Sequence, residues 1–296
     1  CDEGEPNYHG GMSQKHLKTI RVVIAVLFLV FTALLFMDFR EMIPVDWADK
    51  ILFLQFVPSV IKFITLATLA SAGFFIILFL TALFGRVYCS AICPLGIFQD
   101  VFARISKKTG LIKRYKFRKA FDYLRYPILG LTLVFLLFGS MLVVNLLDPY
   151  SSFGRIFSDI IRPGIIVINN GLAGLLEKID VYFLFRHNLE LITWSTVLIP
   201  ALTLALIVWL ALFHGRLYCN TVCPVGTLLG LLSRISLFKI KMDASTCTKC
   251  GKCSFACKSD CIHVKSLVVD HSRCVACYNC ISVCPENSIR YALSFP

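Results

Sequence analysis

Two cysteine runs near the C-terminal end carry the most specific chemistry in the chain: Cys247-x2-Cys250-x2-Cys253-x3-Cys257 and Cys274-x2-Cys277-x2-Cys280-x3-Cys284-Pro285. Three thiolates two residues apart wrap three corners of an iron–sulfur cubane, and the fourth cysteine of each run reaches across to the other cluster. On that rule Cys247, Cys250, Cys253 and Cys284 hold one 4Fe–4S cluster, and Cys274, Cys277, Cys280 and Cys257 hold a second. A zinc ribbon takes its ligands as two pairs, which leaves the third cysteine of each run and the trailing x3-Cys unexplained. Thiolates that hold iron must stay reduced, which places the segment in a reducing compartment. Cys261 is the odd cysteine of this region and aligns with Ser288. Either it packs as a small buried thiol, or it replaces or assists Cys257, because Lys258 stands where the second run has Pro285.

A second cysteine signal is repeated. Phe84-Gly-Arg-Val-Tyr-Cys-Ser-Ala-Ile-Cys-Pro-Leu-Gly matches His214-Gly-Arg-Leu-Tyr-Cys-Asn-Thr-Val-Cys-Pro-Val-Gly, and the likeness continues to Arg104-Ile-Ser and Arg234-Ile-Ser. In each copy two cysteines stand four apart, Cys89 with Cys93 and Cys219 with Cys223, a spacing that puts both thiols on one face of a helical turn. Pro94 and Pro224 then stop the turn or start the next helix. Each copy supplies half a ligand set, so two copies about an approximate two-fold supply the four thiolates of a further iron–sulfur or other metal site. Arg86 and Arg216 are placed to balance its negative charge. Small cysteines that merely pack, or a redox-active disulfide within a pair, are the competing readings.

The elements that position these residues are membrane helices. Hydrophobic residues make up 57% of the chain and charged residues only 16%, which excludes an ordinary soluble protein. Crossing a hydrocarbon core takes about 20 apolar residues. Four stretches qualify: Thr19–Met37, with Arg21 near its end and able to snorkel, Phe63–Phe84, Tyr126–Leu147 and Leu191–Phe213. Ile51–Ile61 and Pro163–Leu176 are shorter and are expected at the interface or as re-entrant segments.

The net charge of +12 is uneven, with nine Lys or Arg between Arg104 and Arg125 against Asp122 alone. That loop is cytoplasmic by the positive-inside rule, so four spans leave both termini cytoplasmic. Cys1 is read as an ordinary residue, not a lipidated terminus. The basic residues flank spans, which excludes nucleic acid as a partner. No haem is expected: only His214 falls at a span, and His9, His16, His187, His263 and His271 lie in loops or the ferredoxin segment.

The expected architecture is therefore an all-α membrane domain of four transmembrane helices with a two-fold internal repeat (residues 19–240). It follows a short cytoplasmic segment (1–18) and precedes a C-terminal α+β bacterial ferredoxin-like domain (241–296). Four spans, two C-x3-C-P motifs and a double-cluster ferredoxin segment together resemble the NapH/NosR type of membrane polyferredoxin, closest in layout to NapH. The resemblance implies an inner-membrane, multi-pass electron-transfer subunit of an oxidoreductase, of quinol dehydrogenase type, that exchanges electrons with the quinone pool and with other redox subunits. The alternative is an assembly or regulatory factor that reduces a metal or disulfide while another oxidoreductase matures. Pro163–Leu176 and the basic loop are the possible walls of a quinone site.

Overall fold

The computed structural model describes residues 13–38, 44–66, 72–110, 120–178, 185–188 and 194–294. The expectations for residues 1–12, for Cys1 and His9, and for much of the basic loop fall outside these residues.

The first described element is α1 (Ser13–Met37), an uninterrupted helix that is mostly polar up to Arg21 and apolar beyond it but for Thr32, followed by α2 (Val45–Phe53), α3 (Phe56–Leu66) and α4 (Gly73–Phe84). Between α2 and α3 the backbone breaks at Leu54 and Gln55, within the short apolar stretch Ile51–Ile61. The break is buried: the Tyr88 hydroxyl accepts from the Phe56 amide at 3.2 Å and donates to Gln55 Oε1 at 3.1 Å. Gly85 (φ +74°) then turns the chain into α5 (Val87–Ala91), and α6 (Pro94–Lys108) follows. Pro94 sits in the first turn of α6, where a missing N–H costs nothing.

The second half runs α7 (Asp122–Leu137), α8 (Met141–Leu147) and α9 (Pro149–Ile156), then a π turn at Phe157–Ile161 leading directly into α10 (Arg162–Glu177). After α11 (Trp194–His214), the first motif is repeated as α12 (Leu217–Thr221) and α13 (Pro224–Ser233), entered through Gly215 at φ +62°.

Two expectations are corrected here. Tyr126–Leu147 is not one span: Gly139 (φ +74°) turns the chain between α7 and α8, and the two helices pack on each other. The hairpin returns to the level of the motifs, because Arg125 at one end bonds Ser272 of the C-terminal unit while Val144 in α8 packs in the core that holds the motif thiols. From Asp148, Pro149–Glu177 leaves as a helix of 29 residues, so Pro163–Leu176 belongs to a helix long enough to cross a membrane. Among the described residues three helices have that length and apolarity, the other two being His16–Met37 and Thr196–His214. Within the expected second span, the described helix α4 has 12 residues, too few to cross alone.

The C-terminal unit is small. Strand β1 (Phe238–Met242) is followed by α14 (Lys252–Ala256), β2 (Ile262–His263), β3 (Val268–Val269), α15 (Asn279–Val283) and β4 (Ile289–Leu293). β1 pairs antiparallel with β4 and β2 with β3. The unit is a duplication of one turn. The amide and hydroxyl of Ser245 donate to Asp243 Oδ1 at 2.9 and 2.7 Å, and those of Ser272 donate to Asp270 Oδ1 at 3.0 and 2.7 Å. Left-handed residues recur at matched places, Lys249 with Ala276, Gly251 with Tyr278, and Asp260 with Asn287.

Candidate functional site

The two C-x3-C-P motifs meet. Cys89, Cys93, Cys219 and Cys223 are each no more than 4% exposed and share one core with Tyr88, Tyr218 and Leu229. Each pair straddles a helix junction: Cys89 lies in α5 and Cys93 caps α6, while Cys219 lies in α12 and Cys223 caps α13, its sulfur accepting from the Gly226 amide at 3.3 Å. Pro94 and Pro224 start the following helices.

The motif arginines cross over. Arg216 Nη1 donates to the Cys89 carbonyl at 2.7 Å, and Arg86 Nη2 donates to the Cys219 carbonyl at 3.3 Å. Glycine is required two residues beyond each proline: a Cβ on Gly96 would stand 2.5 Å from the Cys89 carbonyl oxygen, and one on Gly226 2.0 Å from that of Cys219.

Burial pushes the Cys93 and Cys223 thiols well above their ordinary range, and repulsion among the thiols adds to it; Cys219 is pushed up to about 11 against the pull of Arg216. Four such thiols do not ionise together without a cationic centre among them. The donor set fits an anionic cluster. Gln99 Nε2, Arg86 Nε and Arg216 Nη2 are buried without a hydrogen-bond partner. Gln99 Oε1 already accepts from Cys219 Sγ at 3.5 Å, and Arg86 Nη2 lies 3.8 Å from Cys89 Sγ. Buried donors left unpaired are costly, and the sulfur of a cluster held here would offer them acceptors.

In the ferredoxin unit Cys247, Cys250, Cys253 and Cys284 line one pocket, partly open to solvent, with Pro285 and Ile289. This is the first of the two expected ligand sets. The second set is enclosed. Cys277 packs with the membrane-edge thiols and Val275, while Cys257 and Cys280 pack in the ferredoxin core. Burial, then repulsion from Cys277, Cys274, Cys257 and Cys253, pushes the Cys280 thiol well above its ordinary range. Cys261 Sγ lies 3.5 Å from Cys257 Sγ. Its carbonyl accepts from the Asp270 amide at 2.8 Å, as the Ser288 carbonyl accepts from Asp243 at 2.8 Å, so its backbone role is that of Ser288. Among the described residues no three His, Cys, Asp or Glu converge on a point that one ion could occupy. A cubane has no such need, since it takes its thiolates at separate irons.

Sequence reasoning missed the charge node that joins these sites. Asp100 accepts from Arg216 Nε at 2.7 Å, Lys258 Nζ at 2.8 Å and Arg21 Nη2 at 3.3 Å, all four side chains being under 10% exposed. Arg21 therefore does not snorkel; it is a buried ion-pair partner. Burial raises the Asp100 pKa, but the attraction of Arg216, Lys258 and Arg21 outweighs it and holds the carboxyl below the ordinary range. The signal was present: Asp100 breaks the repeat, since the second copy has Gly230 there, packed so closely that an added Cβ would stand 2.4 Å from the Ser272 carbonyl oxygen.

A family model described as a 4Fe-4S binding domain matches twice, over residues 66–112 and 196–243, and so covers both C-x3-C-P motifs. A second model, also a 4Fe-4S binding domain, matches residues 267–290. The chain is 29% identical over 229 residues to the ferredoxin-type protein NapH of Haemophilus influenzae, covering 74% of this chain and 67% of that protein. It is 27% identical to the putative electron transport protein YccM of Escherichia coli, covering 73% of this chain and 54% of the relative. A third relative, the methylamine utilization ferredoxin-type protein MauN of Paracoccus denitrificans, is 29% identical over 66% of this chain and 56% of its own length. The chain thus spans about half to two thirds of these relatives. No solved structure matches it.

Proposed function

Because this chain belongs to the NapH-type family of membrane polyferredoxins, iron–sulfur electron-transfer proteins, we propose that it is a quinol-dehydrogenase-type subunit that takes electrons at the membrane and delivers them to a redox partner. The observation that carries this reading is the meeting of four buried thiols from two repeats, with an apolar cavity on one side and the second ferredoxin ligand set on the other. When bound, iron–sulfur clusters supply one-electron carriers. Cys247, Cys250, Cys253 and Cys284 hold one, Cys274, Cys277, Cys280 and Cys257 the second, and Cys89, Cys93, Cys219 and Cys223 a third. Cys261 stands as the reserve thiol beside Cys257.

The cavity is partly open, and its lining is almost wholly apolar. Phe56, Val60, Leu129, Leu136, Val144 and Val225 line it, with Pro224 beside Cys223. Its walls come from α3 of one repeat and α7, α8 and α13 of the other. It differs from the walls expected from the sequence, Pro163–Leu176 and the basic loop. An apolar slot next to a buried thiol set suits a quinone ring, and Thr132 supplies a hydroxyl in an otherwise apolar lining.

We assign both motifs and both termini to the cytoplasmic side of the inner membrane, on the strength of the Arg104–Arg125 basic loop. The α7–α8 hairpin leaves the parity unchanged, because it returns to the side it left, and the return crossing that α1 requires is assigned to the expected second span, Phe63–Phe84. Reporter fusions after Lys113 and Ser294 are expected to read inside, and one after Leu175 outside.

The reading is tested on detergent-solubilised protein kept free of oxygen. A water-soluble quinol should bleach the cluster absorbance, and Leu129→Trp, which fills the cavity, should slow bleaching at least tenfold while iron content is unchanged. Bleaching by dithionite but not by any quinol would overturn it in favour of a maturation role.

A further inference from the structure

Between the membrane-edge thiols and the second ferredoxin run lies a layer of buried charge that neither ligand set requires. Arg21, Arg86, Arg216 and Lys258 are all under 10% exposed. Asp100 is the carboxylate that accepts from three of them. Arg86 bonds neutral groups, donating through Nη1 to Asn220 Oδ1 at 2.8 Å and the Ser272 carbonyl at 3.0 Å. Arg273 is paired separately with Asp270 at 2.7 Å. Asp260 is a further buried carboxylate two residues from Lys258 and Arg125 a further buried cation, so cations still outnumber carboxylates among these groups, and an uncompensated buried charge is expensive.

The layer faces one ferredoxin ligand set and not the other. Lys258 directly follows Cys257, its carbonyl accepts from the Arg216 amide at 3.0 Å, and Cys277 packs in the core that holds the membrane-edge thiols. The other set has the exposed Lys249 and Lys252 around the exposed Cys250, where water and salt screen a charge.

We propose that the node built on Asp100 is a positioning element that makes the cluster of Cys274, Cys277, Cys280 and Cys257 the more easily reduced of the two ferredoxin clusters, so that an electron from the membrane edge is held there before it leaves through the exposed Cys247 side. Adding an electron makes a thiolate-bound cluster more anionic, and buried cations lower the energy of that state with little screening. The step is the movement of one electron between two sites. One site is oxidised as the other is reduced, no bond forms or breaks, and no proton is required. This inference rests on the two-cluster part of the proposed function and not on the quinol part.

The sign of the effect separates an electrostatic role from a structural staple. In the full chain, loaded and solubilised, EPR-monitored redox titration gives each cluster's midpoint, with Cys277→Ser and Cys250→Ser identifying which signal is which. Lys258→Gln should lower the midpoint of the Cys277 cluster by a tenfold change in its reduction equilibrium, about 59 mV for one electron. Asp100→Asn, which removes the anion and keeps the shape, should raise it. Lys258→Arg should restore it, and Lys252→Gln should move neither cluster as much as threefold. If Asp100→Asn fails to load clusters, Lys258→Gln and its Arg rescue still decide. A Lys258→Gln shift under threefold, a shift on the Cys250 cluster instead, or shifts of the same sign in the Lys258 and Asp100 variants would overturn the proposal. Failure of quinol to reduce the protein would leave these midpoints untouched.

Discussion

The two halves of the ferredoxin unit are built alike and placed differently. Both open on an Asp-x-Ser turn with the same bonds, Asp243 with Ser245 and Asp270 with Ser272, and both bend through left-handed residues at matched positions. Yet Cys250 is exposed, while Val275 and Cys277 are buried in the core that holds the membrane-edge thiols, and Ala276 and Tyr278 in the ferredoxin core. Local sequence dictates the turn that presents the thiolates, and tertiary contact dictates what surrounds them. One duplicated fold thereby yields an inner and an outer electron site.

The largest test of that difference is selective loss. Loaded protein is expected to hold about twelve irons if all three thiol sets bind cubanes, four thiolates to each. A hydrophilic iron chelator added without oxygen should strip the Cys247 side first, at least tenfold faster than the rest, and leave about two thirds of the iron. Cys250→Ser should abolish the fast phase and Cys277→Ser should not. Equal rates for all iron would mean that burial around Cys277 protects nothing.

The membrane-edge set should behave as one site. Ser at Cys89, Cys93, Cys219 or Cys223 should each remove the same spectroscopic component and leave both ferredoxin signals. Double variants should lose no more than single ones, because groups acting as a unit are not additive. Coupling confined to pairs within a repeat would point to local disulfides and sever the proposed link to the inner half.

Asp100 holds the inner half to the membrane domain through Lys258 and Arg216. Removing one partner of a buried ion network costs about 3–5 kcal/mol, so Asp100→Ala should lower the thermal midpoint and admit protease near Lys258. The folded-state pKa of Asp100 is depressed, so its contribution is complete above the ordinary carboxylate pKa and is lost only as pH falls toward the lower folded value. The gap between wild type and Asp100→Ala should therefore be the same at pH 8 and pH 5.

Much of the site was legible because it is local. The spacing within 247–257 and 274–284 is itself the ligand geometry, and the copied Gly-Arg-x-Tyr-Cys string marked the paired motifs. The membrane path was less legible. Charge-free length alone could not separate a span from the α7–α8 hairpin, since Gly139 bends a run that reads as continuous, while Pro163 makes no break: it stands just past the π turn at Phe157–Ile161, inside the continuous helix Pro149–Glu177. The charge node was illegible for a different reason: Arg21, Asp100, Arg216 and Lys258 are far apart in the chain, and a lone charge beside a span reads as snorkelling until its partner is placed.

The finest distinction between the halves lies in the left-handed position before each short helix. The outer half uses Gly251 (φ +78°) and the inner half uses Tyr278 (φ +58°), a conformation that L side chains adopt at a cost of about 1–2 kcal/mol. Tyr278 has compensation: it is buried, and its ring meets that of Tyr291 edge-on at a centroid distance of 5.1 Å. An added Cβ at Gly251 would find only the Phe255 ring, at 3.6 Å, so there is space but no comparable packing gain. Gly251→Ala should therefore destabilise the outer half by about 1 kcal/mol, read as a small rise in chelator access at Cys250 with the inner half unchanged. Tyr278→Gly relieves the backbone and loses the ring, and should destabilise the inner half by more than Gly251→Ala costs the outer one. Should Tyr278→Gly instead be neutral, the enclosure of the inner half by the membrane domain, and not its own packing, would be what keeps it closed.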